Sequence, residues 1–212
     1  MHFLITAGGT REYIDPVRFI SNASSGKMGY ALCRAALGAG HRVTLVSAPT
    51  TQRLPGGAKI VRVETAAGMF DAVRKYFPRC DCLIMAAAVS DYTVAGTAKT
   101  KIKKTGKTLT IKLKQTRDIL KWAGEHKKKN QIVVGFALEE KAIRSRAEKK
   151  LKEKHLDMII ANSPAAIGSD RVFVQIKTPG RKWLKFSRAS KITIAKKIIA
   201  LEEDVGRNTS SG

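Results

Sequence analysis

FLITAGGTREYIDPVRFISNASSGKMGYALCRAALGA, residues Phe3 to Ala39, is the stretch whose reading decides the fold. It begins with an apolar run, Phe3-Leu4-Ile5, which reads as a buried strand. It closes with Lys27 to Leu37, which reads as a helix. Between them lies a long polar loop with Gly8-Gly9-Thr10, Arg11, Asp15-Pro16, Arg18 and Asn22-Ala23-Ser24-Ser25-Gly26. A plain strand-to-helix turn needs only about two to six residues, so a loop of this length has a job. Its chemistry points to an anion. Ser24 and Ser25 are N-cap candidates for the helix. A helix start offers unpaired N–H groups and a positive dipole end, which suit phosphate. Gly26 and Gly29 let a ligand or neighbouring backbone approach closely.

Two generic phosphate motifs fail. The dinucleotide fingerprint GxGxxG is absent, and Gly26-Lys27-Met28-Gly29 has the wrong spacing. In the loop GxxxxGK[ST], Ser21 stands where the first Gly belongs and Met28 where Ser or Thr holds magnesium. The loop is a phosphate type of neither kind. The bland alternative, a capped helix after an irregular loop, leaves the crowd of polar groups at one βα junction unexplained.

With 212 residues, 43% of them hydrophobic, the chain can bury one sizeable core. No apolar run approaches the roughly 20 residues that span a bilayer. Met1-His2-Phe3 runs straight into the first strand without a signal peptide, so the expected location is the cytoplasm. Cys33, Cys80 and Cys82 are odd in number, and C-x-C fits no common zinc site, so buried reduced thiols are expected. Lys and Arg total 40 against 17 Asp and Glu, a net charge of +23. That balance favours polyanionic partners. The excess is spread along the chain instead of forming one tail, which argues against a dedicated nucleic-acid surface. Aromatic residues are only 6%, and no stacking-rich strand is present.

Further strands are expected at Arg42–Ser47, Lys59–Val63, Cys82–Ala88, Gln131–Ala137 and Leu156–Asn162. Helices are expected over Ala66–Tyr76 with Thr65 as cap, from Thr116 as cap, over residues 141–155, and over Lys191–Leu201. The alternation predicts an α/β fold, a Rossmann-like, doubly wound, mostly parallel sheet with both faces covered. Val172–Ile176 and Trp183–Phe186 suggest a late antiparallel hairpin around Pro179-Gly180. Residues 94–114 break the rhythm. Lys101-Ile102-Lys103-Lys104 is expected to pair with Thr108–Leu113 across Gly106, a basic β-hairpin arm protruding from the sheet. One domain, 1–205, is expected, with a polar, flexible tail at 206–212. Asp91 follows a buried strand at its carboxyl end, where open α/β sheets bind ligands.

ITAGGTREYIDPVRFISNASSGKMGYALC, AAAVSDY, KIKK, VGFALE and LDMIIAN, in that order, closely resemble the phosphopantothenoylcysteine synthetase family over nearly the whole chain. The resemblance implies a ligase of coenzyme A biosynthesis that joins 4′-phosphopantothenate to the amino group of L-cysteine. An acyl-cytidylate made from CTP is the intermediate, and pyrophosphate and CMP leave. By residue-for-residue match, Lys101 serves acyl-cytidylate formation and Asn22 holds the intermediate for cysteine attack. Met85, Ala86 and Ala87 face the base with Asp91 beside the nucleotide, and Phe136 packs on it. Thr116, Arg117, Asp118 and Ile119 supply a helix start, and Lys150 and Lys154 reach the phosphates. Gly8, Gly9, Thr10, Arg18, Ser24, Ser25, Gly26 and Lys27 form the phosphate and substrate loop.

The family also implies Mg2+ with the triphosphate, ligands unassigned, a homodimer in which the hairpin arm helps close the site, and a decarboxylase as fused or separate partner. A stand-alone synthetase or an excised half is expected here. The sequence departs from the family at Arg117, where Pro is usual, at Leu138, where Ala is usual, and at Glu140, where Thr is common. KIKK and AAAVSDY are closer to the bacterial, CTP-using type than to the ATP-using eukaryotic one. The rival reading is an NAD(P)-dependent oxidoreductase on a related sheet. The missing glycine fingerprint disfavours it, as does the lack of a Tyr-x-x-x-Lys pair after the fourth strand.

Overall fold

The computed structural model describes residues 1–104, 106, 108–163 and 169–209. Its centre is a parallel pair: β1 (His2–Ala7) beside β6 (Cys82–Met85), with Phe3 opposite Cys82 and Thr6 opposite Met85. From β1 the sheet grows one way through β4 (Arg42–Ser47) to β5 (Lys59–Arg62). From β6 it grows the other way through β9 (Ile132–Leu138) and β10 (Met158–Asn162). All six are parallel. β11 (Arg171–Lys177) and β12 (Leu184–Ser190) then return antiparallel and complete an eight-stranded sheet. The strand order reverses between β1 and β6, which makes that gap the switch point of a doubly wound sheet.

Successive residues of a strand face opposite sides, and the core divides accordingly. Phe3 and Ile5 pack with α1 (Lys27–Gly38) and with Ile194 and Ile198 of α5 (Lys191–Thr209). Leu4 faces the other layer, which holds α2 (Ala66–Tyr76), α3 (Ile119–His126) and α4 (Ile143–Glu153). In α2, Met69, Phe70 and Val73 are buried at helical spacing, and Thr65 accepts from Gly68 N–H as its cap. Removing a fully buried side chain such as Leu4 would cost about 2–5 kcal/mol. Cys33, Cys80 and Cys82 are free and buried, as expected. Among the described residues no helix is long and apolar enough to cross a membrane.

Several expectations are corrected. The strand read as Cys82–Ala88 stops at Met85, because Ala87 N–H turns to donate to Thr6 Oγ1 and Ala88 N–H donates to Gly8 O. The opening loop contains a hairpin, β2 (Arg11–Tyr13) against β3 (Phe19–Ser21), that its short strands conceal. The second hairpin pairs β7 (Tyr92–Val94) with β8 (Leu113–Gln115), not Lys101–Lys104 with Thr108–Leu113. Ile102 spends its backbone groups on the Asp15–Arg18 turn instead of on a strand partner. Both flanks of Gly106, where the expected arm turns, lie outside the described residues. α5 runs to Thr209, past the expected end at Leu201. The rest of the expected tail, 210–212, lies outside the described residues.

Candidate functional site

A cavity of about 880 Å³ opens at the carboxyl ends of β6, β9 and β10. Its floor is the switch point, and its rim is made by the starts of α1 and α3. That volume suits a nucleotide-sized ligand, since small-molecule pockets run about 300–1,000 Å³.

The α1 start shapes one wall. Its N-cap is Gly26, at φ 72°, and neither Ser24 nor Ser25 caps the helix as expected. Ser24 Oγ instead accepts from Gly26 N–H at 3.4 Å. Gly26 occupies a left-handed conformation that L side chains adopt at a cost. Among the described residues no side chain caps this helix start, so an anionic ligand in the cavity can take that place. Asn22, Ser24, Ser25, Gly26 and Lys27 all line this wall. Asn22 reaches it from the end of β3. Its Nδ2 donates to Ala88 O at 3.3 Å and Val89 O at 3.2 Å, which leaves Oδ1 as the acceptor. Gly9 permits that approach, because a Cβ there would stand 2.8 Å from Asn22 O.

The opposite wall comes from β6, the segment after it and α3. Met85, Ala86, Ala87 and Asp91 line it, with Thr116 to Ile119. The α3 cap is Asp118, which accepts from Lys121 N–H, and not Thr116. Thr116 is held elsewhere: its N–H donates to Asp91 O and its hydroxyl to Ser90 O. Arg117 lies over the Phe70 ring, 4.9 Å from its centroid.

Phe136, Lys150 and Lys154 close the third side. Lys150 Nζ donates to Phe136 O at 2.7 Å. Burial pushes the Lys150 amine below its ordinary value, Lys154 adds to that, and Asp118, Asp91 and Glu139 oppose it. Lys154 pairs with Asp118 at 2.7 Å. Burial pushes the Asp118 carboxyl up, but the bonds from Lys154 and from Lys121 N–H outweigh it and hold it below its ordinary value. Glu139 pairs with Arg146. Among the described residues, Asp91 is the lining carboxylate without an ion pair, and no group of three His, Cys, Asp or Glu side chains is placed to hold a metal. One carboxylate plus ligand phosphates is a normal magnesium environment.

Five of the expected residues lie outside this cavity. Gly8, Gly9 and Thr10 lie behind its wall, where Thr10 Oγ1 is buried and accepts from Ser90 N–H at 3.0 Å. Arg18 and Lys101 line a separate open cleft with Val17, Ile102, Lys103 and Lys104. In a single chain, Lys101 and Asn22 are therefore not brought together. Conversely, the cavity includes Glu139, whose place at the carboxyl end of a core strand the sequence shows, and Tyr92, Gln115, Leu138, Asn162 and Lys191, which sequence reading missed as site residues. Glu139 and Asn162 stand at carboxyl ends of core strands, so the rule that selected Asp91 also reaches them. Lys191 has no such local sign. It arrives because β12 runs back antiparallel and starts α5 beside α1, where Asp170 accepts from Lys27 Nζ and its carbonyl from Lys191 N–H.

Fold and site together define an α/β protein of the doubly wound class with a cation-rimmed ligand cavity at its switch point. More particularly, the chain belongs to the family described as DFP, DNA/pantothenate metabolism flavoprotein C-terminal domain, whose model matches residues 1–204. It is 49% identical over 169 residues to the coenzyme A biosynthesis bifunctional protein CoaBC of Bacillus subtilis (strain 168), covering 79% of this chain and 41% of that protein. It is 39% identical over 203 residues to the protein of the same name from Vibrio vulnificus (strain CMCP6), covering 92% of this chain and 50% of that one. The chain thus spans half or less of the length of these curated relatives. A crystal structure of the C-terminal domain of CoaBC superposes with a TM-score of 0.83 at 34% identity, covering 100% of this chain and 96% of that one. The oxidoreductase alternative gains no support from these comparisons.

Proposed function

We propose that the chain is a phosphopantothenate–cysteine ligase of coenzyme A biosynthesis. The observation that carries this reading is the convergence of Asn22, Asp91, Lys150 and Lys154 on one switch-point cavity, in a chain of this family. Two anions must meet there, a carboxylate and a nucleoside triphosphate, so cations and an uncapped helix start are what the chemistry needs. The substrate carboxylate attacks the α-phosphorus, the bond to pyrophosphate breaks, and an acyl-nucleotide forms. The cysteine amine then attacks the acyl carbon and loses a proton, and the nucleoside monophosphate leaves.

In this reading Asn22 Oδ1 accepts from the incoming amine, since Nδ2 is already engaged. Lys150, Lys154 and the α1 start receive phosphates, and Phe136 packs on the nucleotide. Magnesium bound with the triphosphate would offset its charge, with Asp91 as the carboxylate available to it. The N–H groups of Ala86, Ala87 and Ala88 are spent within the protein. A base lodged there meets carbonyl acceptors and gains by carrying an exocyclic amine. Cytosine and adenine both do, so CTP is favoured on the bacterial character of KIKK and AAAVSDY.

Lys101 is supplied to the cavity by a second copy of the chain. The exposed Val17, Phe19 and Ile20 beside its cleft are an apolar surface suited to that homodimer. The compartment is the cytoplasm, and a phosphopantothenoylcysteine decarboxylase is the proposed partner, in keeping with relatives named bifunctional. The test is pyrophosphate release with phosphopantothenate, cysteine and CTP, ATP or GTP in turn. Release with CTP that requires phosphopantothenate is expected; none with any nucleotide overturns the reading.

A further inference from the structure

Asp15 sits in a surface turn, yet its side chain is fully buried. Both of its oxygens are occupied. Oδ1 accepts from Val17 N–H and Arg18 N–H, each at 2.9 Å. Oδ2 accepts from Ile102 N–H at 3.1 Å and from Arg18 Nη2 at 2.8 Å. Arg18 Nη2 also donates to Ile102 O at 2.6 Å. Ile102 is therefore gripped at both of its backbone groups. Further along, Thr97 Oγ1 donates to Tyr13 O and Ala98 N–H to Ile14 O. Residues 97–102 lie tied along residues 13–18.

The turn itself needs one side-chain oxygen, which Asn supplies as well as Asp. Burial pushes the Asp15 carboxyl up, but the N–H groups of Val17, Ile102 and Arg18 and the Arg18 guanidinium outweigh it and hold it below its ordinary value. What the second, charged oxygen adds here is its hold on the segment that carries Lys101. The same turn joins β2 to β3, and β3 ends at Ser21, immediately before Asn22.

We propose that Asp15 is a positioning residue that holds Lys101 in fixed register on the β2–β3 hairpin, and so sets where Lys101 enters the second copy's cavity. This rests on the ligase reading, in which Lys101 serves formation of the acyl-nucleotide. Lys101 is exposed and on an irregular segment, so without the grip its ammonium samples a wide volume. A displacement of about 1 Å at a reacting centre can cost on the order of 100-fold in rate.

Two variants test this in the full chain. Asp15→Asn removes the charge and the second acceptor. Ile102→Pro removes the N–H that Oδ2 receives without changing the Asp15 turn, at the cost of fixing the backbone at 101–102, and it decides the matter if Asp15→Asn does not fold. In both, kcat for pyrophosphate release should fall at least about tenfold while KM for CTP stays within about twofold, because the cavity walls are intact. Amide exchange should rise at Ile102 in Asp15→Asn and at Ala98, the neighbouring tie, in Ile102→Pro, whether or not the chain is the ligase. Unchanged exchange overturns the clamp, and an Ile102→Pro kcat within about twofold of the parent overturns the positioning role. A parent chain that releases no pyrophosphate overturns the ligase reading and the catalytic role with it, while the exchange result still judges the clamp.

Discussion

Asn22 and Lys101 separate the two halves of the proposed reaction. Lys101→Gln should prevent acyl-nucleotide formation, whereas Asn22→Asp should allow it and block coupling to cysteine. Rapid-quench detection of the intermediate should find it accumulating only in Asn22→Asp; equal accumulation in both contradicts the assignment. Glu202, on α5, has a different consequence. It is fully buried, its Oε1 has no hydrogen-bond partner among the described residues, and Cys82 Sγ lies 4.0 Å from Oε2. Burial, and then the Asp157 charge, push its carboxyl from 4.5 up to about 8. The folded chain thus keeps a proton that the unfolded chain releases. Its contribution is fully present below pH 4.5, declines as pH rises, and is lost by about pH 8, with a slope of up to about 1.4 kcal/mol per pH unit. Glu202→Met should flatten that decline in denaturant titrations between about pH 5 and 8 and leave the chain more stable at the upper end. Nothing in the sequence around Glu202 marks it, because its burial depends on α5 docking over a strand 120 residues earlier at Cys82.

At the level of elements, α1 owes its start to one glycine. Gly26→Ala would place a methyl in the left-handed region and 2.9 Å from Thr50 Oγ1, whose hydroxyl already donates to Ser25 O. The expected cost is about 2 kcal/mol, roughly a 4–8 °C fall in Tm for a chain of this size. Thermal stabilisation by CTP should shrink as well; an unchanged Tm and CTP shift would show that the cap geometry is not needed. The core strands and most helices are legible in the sequence because strands buried on both faces read as unbroken apolar runs, and because Thr65 and the α2 stripe follow helical spacing. β2, β3, β7 and β8 are not. Each has three residues, most of them exposed or half-buried, and the first hairpin is fixed by contacts across the chain, such as Arg11 N–H to Glu64 O and Tyr13 Oη to Glu64 Oε2. The anion loop is legible as chemistry, through its serines and glycines, but not its cap. A left-handed glycine and a serine side chain can both begin a helix after such a loop.

For the whole molecule, the separation of Lys101's cleft from the main cavity makes oligomeric state part of the mechanism. Mixing inactive Lys101→Gln and Asn22→Asp chains and allowing exchange should restore activity if each site draws on two copies. Random pairing in a twofold dimer gives one intact site in each mixed pair, or roughly a quarter of the parent activity. No recovery, with exchange demonstrated, would mean that one chain supplies both groups.

Lys191 lines the same cavity as Asn22 and Lys27, and Asp170 links the first residues of α1 and α5. A chain still being translated therefore owns a nearly finished parallel sheet long before it owns a finished pocket. The pocket is completed only after the return strands and the beginning of the last helix have emerged, so a chain stalled before Lys191 would hold the six parallel strands with neither the Lys191 wall nor the α5 cover over Phe3 and Ile5.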